Sequence, residues 1–436
     1  MYALSPLKVY ALDRALDDAV CVERMERMLR AMDLGPDDVI TITESNLSAV
    51  AAEIAELWPP TRVPDGKIGA YTRPIIFTTI DFNINGTDLR PLLSKCAPGT
   101  SLDILNAIYG QFGAAIDQHP HERDRRENCV CWPTYNVGTV RGCSHGCLYC
   151  GSGRAGKFLA IGLNLEDYME KVVGPAIESY PWNRVFRMIL SGDPITLEPE
   201  YGLHDLFSRK LSEFDDRYGH FHTGSANVEW LAELPHKDRL VGVWSVPCET
   251  VARQMEPGSA SGLERIEAGR KCNDMGIPVR YKLKPIIPVR NWREEYADLL
   301  KQAVTVSRPE SIGFCLYIWN SFESMTATLP VDLLDPECLE AARQAAPEMQ
   351  GVRTGPFPHA TRKMIYQHMI REVRRWDKDV KLYVSTETRE MWDDLAAELG
   401  QDPKTYVCGC SSVAVPGGTL GANPGLKYST YCPTPA

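Results

Sequence analysis

The sequence predicts an α/β fold, with a small N-terminal α/β unit followed by a larger parallel sheet that can curve into a partial barrel. Two observations carry this. Strand-type and helix-type patterns alternate from Leu7 to Trp58. Five runs rich in β-branched and apolar residues then recur between Arg184 and Val384, separated by helical stretches, which is the arrangement of successive parallel strands with crossover helices.

In order, Leu7–Tyr10 reads as a short strand and Asp18 to Met32 as an amphipathic helix. Asp38–Ile42 is a second strand, and Leu47 to Trp58 a helix that stops before Pro59 and Pro60. Ile75–Ile80 is strongly β in composition. Ser101 caps a helix running toward Ile116, with Gly110 and Gly113 weakening its second half. Further strands fall at Arg184–Leu190, Leu240–Val246, Val279–Ile287, Ser311–Tyr317 and Val380–Val384. Helical segments fall at Leu165–Ser179, Val228–Glu233, Gly262–Met275, Trp292–Ser307 and Arg362–Trp376. The expected division is an N-terminal α/β domain over 1–60, a connecting or inserted region over 61–128, a partial-barrel core over 129–385 and a C-terminal extension over 386–436.

Composition excludes several classes. The 436 residues carry 47 Lys plus Arg against 57 Asp plus Glu, a net charge of -10, so there is no global attraction to nucleic acid. The 44 % hydrophobic content supports a sizeable core rather than disorder. No apolar run is long enough to span a bilayer, and residues 1–14 lack a signal-like pattern. The expected setting is cytoplasmic, where clustered thiols favour metal over disulfides. Two groups stand out among the 14 cysteines: Cys129 to Cys150, and Cys408 with Cys410.

Arg141-Gly142-Cys143-Ser144-His145-Gly146-Cys147-Leu148-Tyr149-Cys150 is the decisive stretch. Structural zinc takes four protein ligands, whereas three thiolates leave one iron of a four-iron cluster open to a further ligand. His145 offers a Cys3His zinc alternative, which its position between Cys143 and Cys147 disfavours. Other pocket candidates come from strands. Arg280, Lys282 and Lys284 alternate onto one face, which suits an anion or a cavity. His220 and His222 form a polar pair, and Tyr317, Trp319 and Asn320 lie at a strand end, where α/β proteins place ligand contacts. The helix from Arg362 to Trp376 is basic enough to meet phosphates or simply to face solvent.

The cysteine loop resembles that of the radical S-adenosylmethionine superfamily, and the wider wording resembles the spore photoproduct lyase family. Further resemblance lies in Ser191-Gly192-Asp193-Pro194, Thr223-Gly224-Ser225-Ala226-Asn227, Glu256-Pro257-Gly258, Gly276-Ile277-Pro278-Val279, Pro285-Ile286-Ile287-Pro288 and Cys408-Gly409-Cys410. The resemblance implies a (β/α)6-type partial barrel with a [4Fe-4S] cluster on Cys143, Cys147 and Cys150. It implies S-adenosylmethionine held by Tyr149, Ser191, Gly192, Asp193, Ser225 and Asn227, with Lys282 and Lys284 as cationic lining. Tyr149, Cys408 and Cys410 are the catalytic candidates, and a flavodoxin or ferredoxin is the expected reductant. Cys129, Cys131, Cys408 and Cys410 are candidates for a second metal site.

The chain also departs from that family. Leu190 stands at or near the place of its hydrogen-donating cysteine, Gly151 where it has a second tyrosine, and Gly224 where it has a lysine. These departures favour a lyase or transferase acting on a small, anionic substrate. DNA or RNA lesion repair or modification, cleavage to a 3-amino-3-carboxypropyl radical, and a non-catalytic zinc protein stand behind it.

Overall fold

A computed structural model describes residues 4–57, 73–83, 86–114, 117–119, 129–132, 134–151, 158–189 and 192–421. Its strands are β1 (Val9–Leu12), β2 (Val39–Ile42), β3 (Ile75–Thr78), β4 (Asp117–His119), β5 (Cys129–Val130), β6 (Thr134–Val137), β7 (Val140–Arg141), β8 (Leu159–Gly162) and β9 (Val185–Met188). They continue with β10 (Tyr218–Thr223), β11 (Leu240–Ser245), β12 (Val279–Ile286), β13 (Ser311–Leu316), β14 (Lys381–Val384), β15 (Glu387–Thr388), β16 (Ala414–Val415) and β17 (Thr419–Leu420).

The smaller sheet has the order β2-β1-β3-β8-β7. Its helices form where the sequence places them: Asp18 caps Ala19–Ala31 by accepting from the Val20 amide, and Cys21, Met25, Met28 and Leu29 turn inward at helical spacing. Ser101 caps Leu102–Ile108 by accepting from Ile104. That helix ends early because Gly110 and Gly113 adopt positive φ, and a Cβ on Gly110 would strike the Thr79 carbonyl.

The larger sheet has the order β14-β13-β12-β11-β10-β9-β6-β4. Its first seven strands run parallel, and β4 pairs antiparallel with β6. The fold is therefore mixed α/β with a seven-strand parallel sheet of the partial-barrel kind, where the resemblance implies six βα repeats and the sequence pattern marks five of the strands, β9 and β11 to β14. The seventh parallel strand is β6, whose short Thr134–Val137 run carries little periodicity.

Side chains alternate along these strands. Tyr281 hydroxyl donates to the Ile266 carbonyl of the covering helix Gly262–Asp274, while Arg280 and Lys282 point to the other face and are buried. Among the described residues no helix is long and apolar enough to cross a membrane.

Candidate functional site

The three cysteines lie in a loop between β7 and β8, so both ends of the loop are strands of the smaller sheet. Gly142 and Gly146 hold positive φ there, and a Cβ on Gly142 would lie 2.2 Å from the Phe158 carbonyl oxygen. The other side of the loop docks on the larger sheet. The Leu148 amide donates to Met255, and the Gly258 amide donates to His145. Gly192 and Gly258 allow this approach: a Cβ on Gly192 would sit 2.3 Å from the Gly142 oxygen, and one on Gly258 2.6 Å from the His145 oxygen.

His145 is the clamp. Its ring nitrogens lie 2.7 Å from the Gly258 carbonyl and 2.7 Å from Asp193 Oδ2. Both nitrogens are thus engaged with protein, which accounts for the imidazole without zinc. The same Asp193 oxygen accepts from Thr223 Oγ1 and from the Gly224 amide, each at 2.8 Å. Burial opposes charge on Asp193, but His145, Gly224 and Thr223 outweigh it and hold the carboxyl below its ordinary range. Its second oxygen, Oδ1, is buried and has no hydrogen-bond partner among the described residues.

Tyr149 donates to Glu256, which pairs with the buried Arg265 and accepts from Ser259 at 2.9 Å. Arg265 also donates to the Ala260 and Ser245 carbonyls. Burial and the Glu256 carboxylate push the Tyr149 hydroxyl well up, so it serves as a neutral donor. Asn227 spends its amide on the Ile195 and Glu198 carbonyls, and Ser225 accepts from Trp244 through its own carbonyl. Both residues shape the turn that carries Thr223 and Gly224. The candidates at 190 and 191 lie outside the described residues.

Burial raises Cys143 to about 12, with Cys150 and Asp193 adding to the effect, and Cys147 is likewise raised well up. Arg73 is buried and interacts electrostatically with all three thiols. Among the described residues no set of three or more His, Cys, Asp or Glu is arranged around a point that a metal ion could occupy. The donor set nevertheless suits a four-iron cluster: three soft, partly exposed thiols share one loop, within electrostatic reach of a buried cation. The orphaned Asp193 oxygen suits the ammonium of a methionyl group.

A second cluster lies on the inner face of the larger sheet. Lys282 Nζ lies 3.1 Å from Cys410 Sγ, and Cys408 Sγ lies 3.7 Å from Cys410 Sγ. Cys131 adds to the electrostatic environment of Cys408, so the two CxC motifs are neighbours as the sequence allows, without metal-site geometry. Arg280 donates to Glu310 and to the Gly409 and Val415 carbonyls, tying the C-terminal segment to β12. His222 links Arg187 and Ser245 at 3.0 and 3.1 Å.

The cationic face of β12 thus meets three partners: Arg280 a carboxylate and carbonyls, Lys282 a thiol, and Lys284 the Trp319 ring at 4.6 Å. Trp319 follows the C-terminal end of β13 with φ 71 and is 42 % exposed, and Arg353 also lies over its ring at 4.6 Å. The basic helix, now His359–Arg374, spends its charge internally. Arg362 pairs with Glu387, both buried, Lys363 with Asp394, and Arg374 with the Val380 and Leu399 carbonyls.

Residues 131–318 match the family model for spore photoproduct lyase. A spore photoproduct lyase of Clostridium acetobutylicum is 26 % identical over 185 residues, covering 41 % of this chain and 54 % of that protein. The chain therefore spans about half the length of the curated relative it matches. A solved spore photoproduct lyase complexed with dinucleoside spore photoproduct superposes with TM-score 0.57 at 14 % identity, over 88 % of this chain and 99 % of that one. A variant with bound AdoMet and the same dinucleoside gives 0.54 at 13 % identity, with equal coverage. At these identities the likeness carries the fold. The two solved proteins hold a dinucleoside lesion, which runs against the partner ranking drawn from sequence, where a free small molecule stands first.

Proposed function

Because the chain is a divergent member of the spore photoproduct lyase family within the radical S-adenosylmethionine superfamily, we propose that it performs radical S-adenosylmethionine chemistry on a nucleic-acid lesion. One observation carries the reading: His145 joins the three-thiol loop to Asp193, whose second oxygen is buried and meets no donor among the described residues. Cys143, Cys147 and Cys150 are the cluster ligands, and Asp193 receives the cofactor ammonium. When bound, cluster and cofactor supply a carbon-centred radical.

The chain's own residues do the rest. His145, Gly192 and Gly258 fix the distance between the loop and the Asp193 turn. Tyr149, Glu256 and Arg265 lock the loop's far side in a buried charge network. For the substrate, Trp319 presents an aromatic face at a strand end with Lys284 and Arg353 against it. An exposed aromatic beside cations suits base stacking with phosphate contact. Its left-handed backbone is costly for a large side chain and is a mark of functional positions. Gly151 and Gly224 replace side chains of the relatives, so the lesion and the fate of the substrate radical differ from theirs.

The test is anaerobic reconstitution with iron and sulfide, then reduction with S-adenosylmethionine, with and without ultraviolet-irradiated oligothymidylate. Expected are 5'-deoxyadenosine, lost when Cys143, Cys147 or Cys150 becomes alanine, and tighter binding to irradiated than to intact DNA. Absence of cofactor cleavage overturns the radical reading. Cleavage without preference for irradiated DNA overturns the substrate reading.

A further inference from the structure

We propose that Cys408 and Cys410 form a redox-active dithiol, with Cys410 as the attacking thiolate, Lys282 as its counter-cation, and a hydroperoxide as the oxidant. The site needs no iron and stands independently of the radical reading.

The first argument is the lysine. Lys282 is 3 % exposed, and among the described residues its ammonium donates to Cys410 Sγ at 3.1 Å. A buried ammonium needs an opposite charge close by. Arg187 and Arg280 add like charge in the same interior, and the carboxylate of Glu310 is already engaged by Arg280. A thiolate on Cys410 balances Lys282. The electrostatics agree: Cys408, Lys282, Arg187 and His220 overcome burial and hold Cys410 well below the ordinary thiol range. Cys408 moves the opposite way, raised by burial and by its negative neighbour, so it keeps its proton. The pair is one thiol donating to one thiolate across 3.7 Å.

The surroundings suit a small oxidant. Cys410 is 6 % exposed and Cys408 is 1 % exposed, so a molecule of water-like size reaches the pair where a protein disulfide does not. His220 is fully buried beside Cys410, and among the described residues neither of its ring nitrogens has a hydrogen-bond partner. As a neutral imidazole it offers one donor and one acceptor to a polar guest. Tyr383 lines the other side and accepts from the Gly409 amide at 2.9 Å, which fixes the turn between the two sulfurs.

The chemistry balances. Cys410 sulfur attacks the O–O bond of hydrogen peroxide, forming S–OH and releasing hydroxide. Cys408 then attacks that sulfur, forming S–S and releasing water as its S–H proton joins the departing hydroxyl. Peroxide is reduced by two electrons and the pair is oxidised by two. The sulfurs must close from 3.7 Å to about 2.05 Å. Oxidation removes the charge that balances Lys282 and so loosens the segment that Lys282 and Arg280 tie to β12.

The experiment treats the full chain, purified anaerobically, with hydrogen peroxide, traps remaining thiols with N-ethylmaleimide after denaturation, and maps peptides by mass. The peptide holding both sulfurs should lose two hydrogens and escape the trap before Cys21, Cys272 or Cys338 is modified. Lys282→Met should slow this roughly tenfold or more, and Lys282→Arg should restore it. Far-ultraviolet circular dichroism checks that the variants fold. Thiolate ultraviolet absorbance at neutral pH should fall by one thiolate in Cys410→Ser and not in Cys272→Ser. A pair that stays reduced while other cysteines react, or a rate that Lys282→Met leaves unchanged, overturns the assignment.

Discussion

Gly192→Ala is the most direct test of how the metal loop is seated. The added Cβ would lie 2.3 Å from the Gly142 carbonyl oxygen and 3.3 Å from Val140 Cγ1. The first contact is with backbone, so no flexible side chain can yield. Relief to ordinary contact requires a separation of about 1 Å between the Asp193 turn and the cysteine loop, with a packing penalty of about 1–3 kcal/mol. The His145–Asp193 contact at 2.7 Å cannot survive a displacement of that size. The expected outcome is a melting temperature lower by a few degrees and a reconstituted iron content reduced several-fold. Gly151→Ala is the control, because its Cβ meets nothing within 4 Å among the described residues. Iron, sulfide, the cluster's visible absorbance and thermal unfolding are measured on all three proteins. Wild-type iron loading and melting in Gly192→Ala would refute the claim that this turn must abut the loop.

Glu256→Gln strands the buried Arg265 and should cost about 3–5 kcal/mol in urea unfolding, while Glu267→Gln, at the surface, should cost little. Burial holds His220 well below its ordinary range, with Arg187, Arg280 and Lys282 adding to the effect and Cys410 opposing it. The unfolded chain therefore binds the extra proton, so this contribution is present above pH ~6.5 and is lost as pH falls, by about 1.4 kcal/mol per pH unit. Wild type minus His220→Leu should show that slope in denaturant melts between neutral and mildly acidic pH, and a pH-independent difference would contradict it. Trp319→Ala should weaken binding to irradiated oligothymidylate by about 1–3 kcal/mol, and Lys284→Ala should lower the salt slope by about one phosphate. Arg371→Ala, on the helix that spends its charge internally, should do neither.

Much of this architecture is legible because it rests on local rules. Asp18 and Ser101 announce their helices as capping residues, and the parallel strands carry uninterrupted β-branched runs. The three-cysteine spacing marks the loop as a candidate for soft-metal binding because three thiols in eight residues have few other uses. What the sequence hides is non-local. His145 reads as a spare ligand until Asp193 and Gly258, 48 and 113 residues away, occupy its two nitrogens. The basic helix reads as a surface because Glu387, which neutralises Arg362, belongs to a later strand. Lys282 and Cys410 are 128 residues apart, and only the sheet's inner face brings them together. Gly192 reads as one residue of a Ser-Gly-Asp-Pro turn, whereas the packing shows that a side chain there would collide with the neighbouring loop.

The order of the smaller sheet has a bearing on synthesis. β8 lies between β3 and β7, so the sheet is incomplete until residue 162 has been made. Until then Ile75–Thr78, four residues buried in the finished protein, is an open apolar edge. A ribosome that stalls, or a protease that cuts, before β8 therefore releases an adhesive fragment rather than a spare domain. Because Cys143, Cys147 and Cys150 sit between the two strands that close this edge, capping the fragment and building the cysteine loop are one event in the life of the chain.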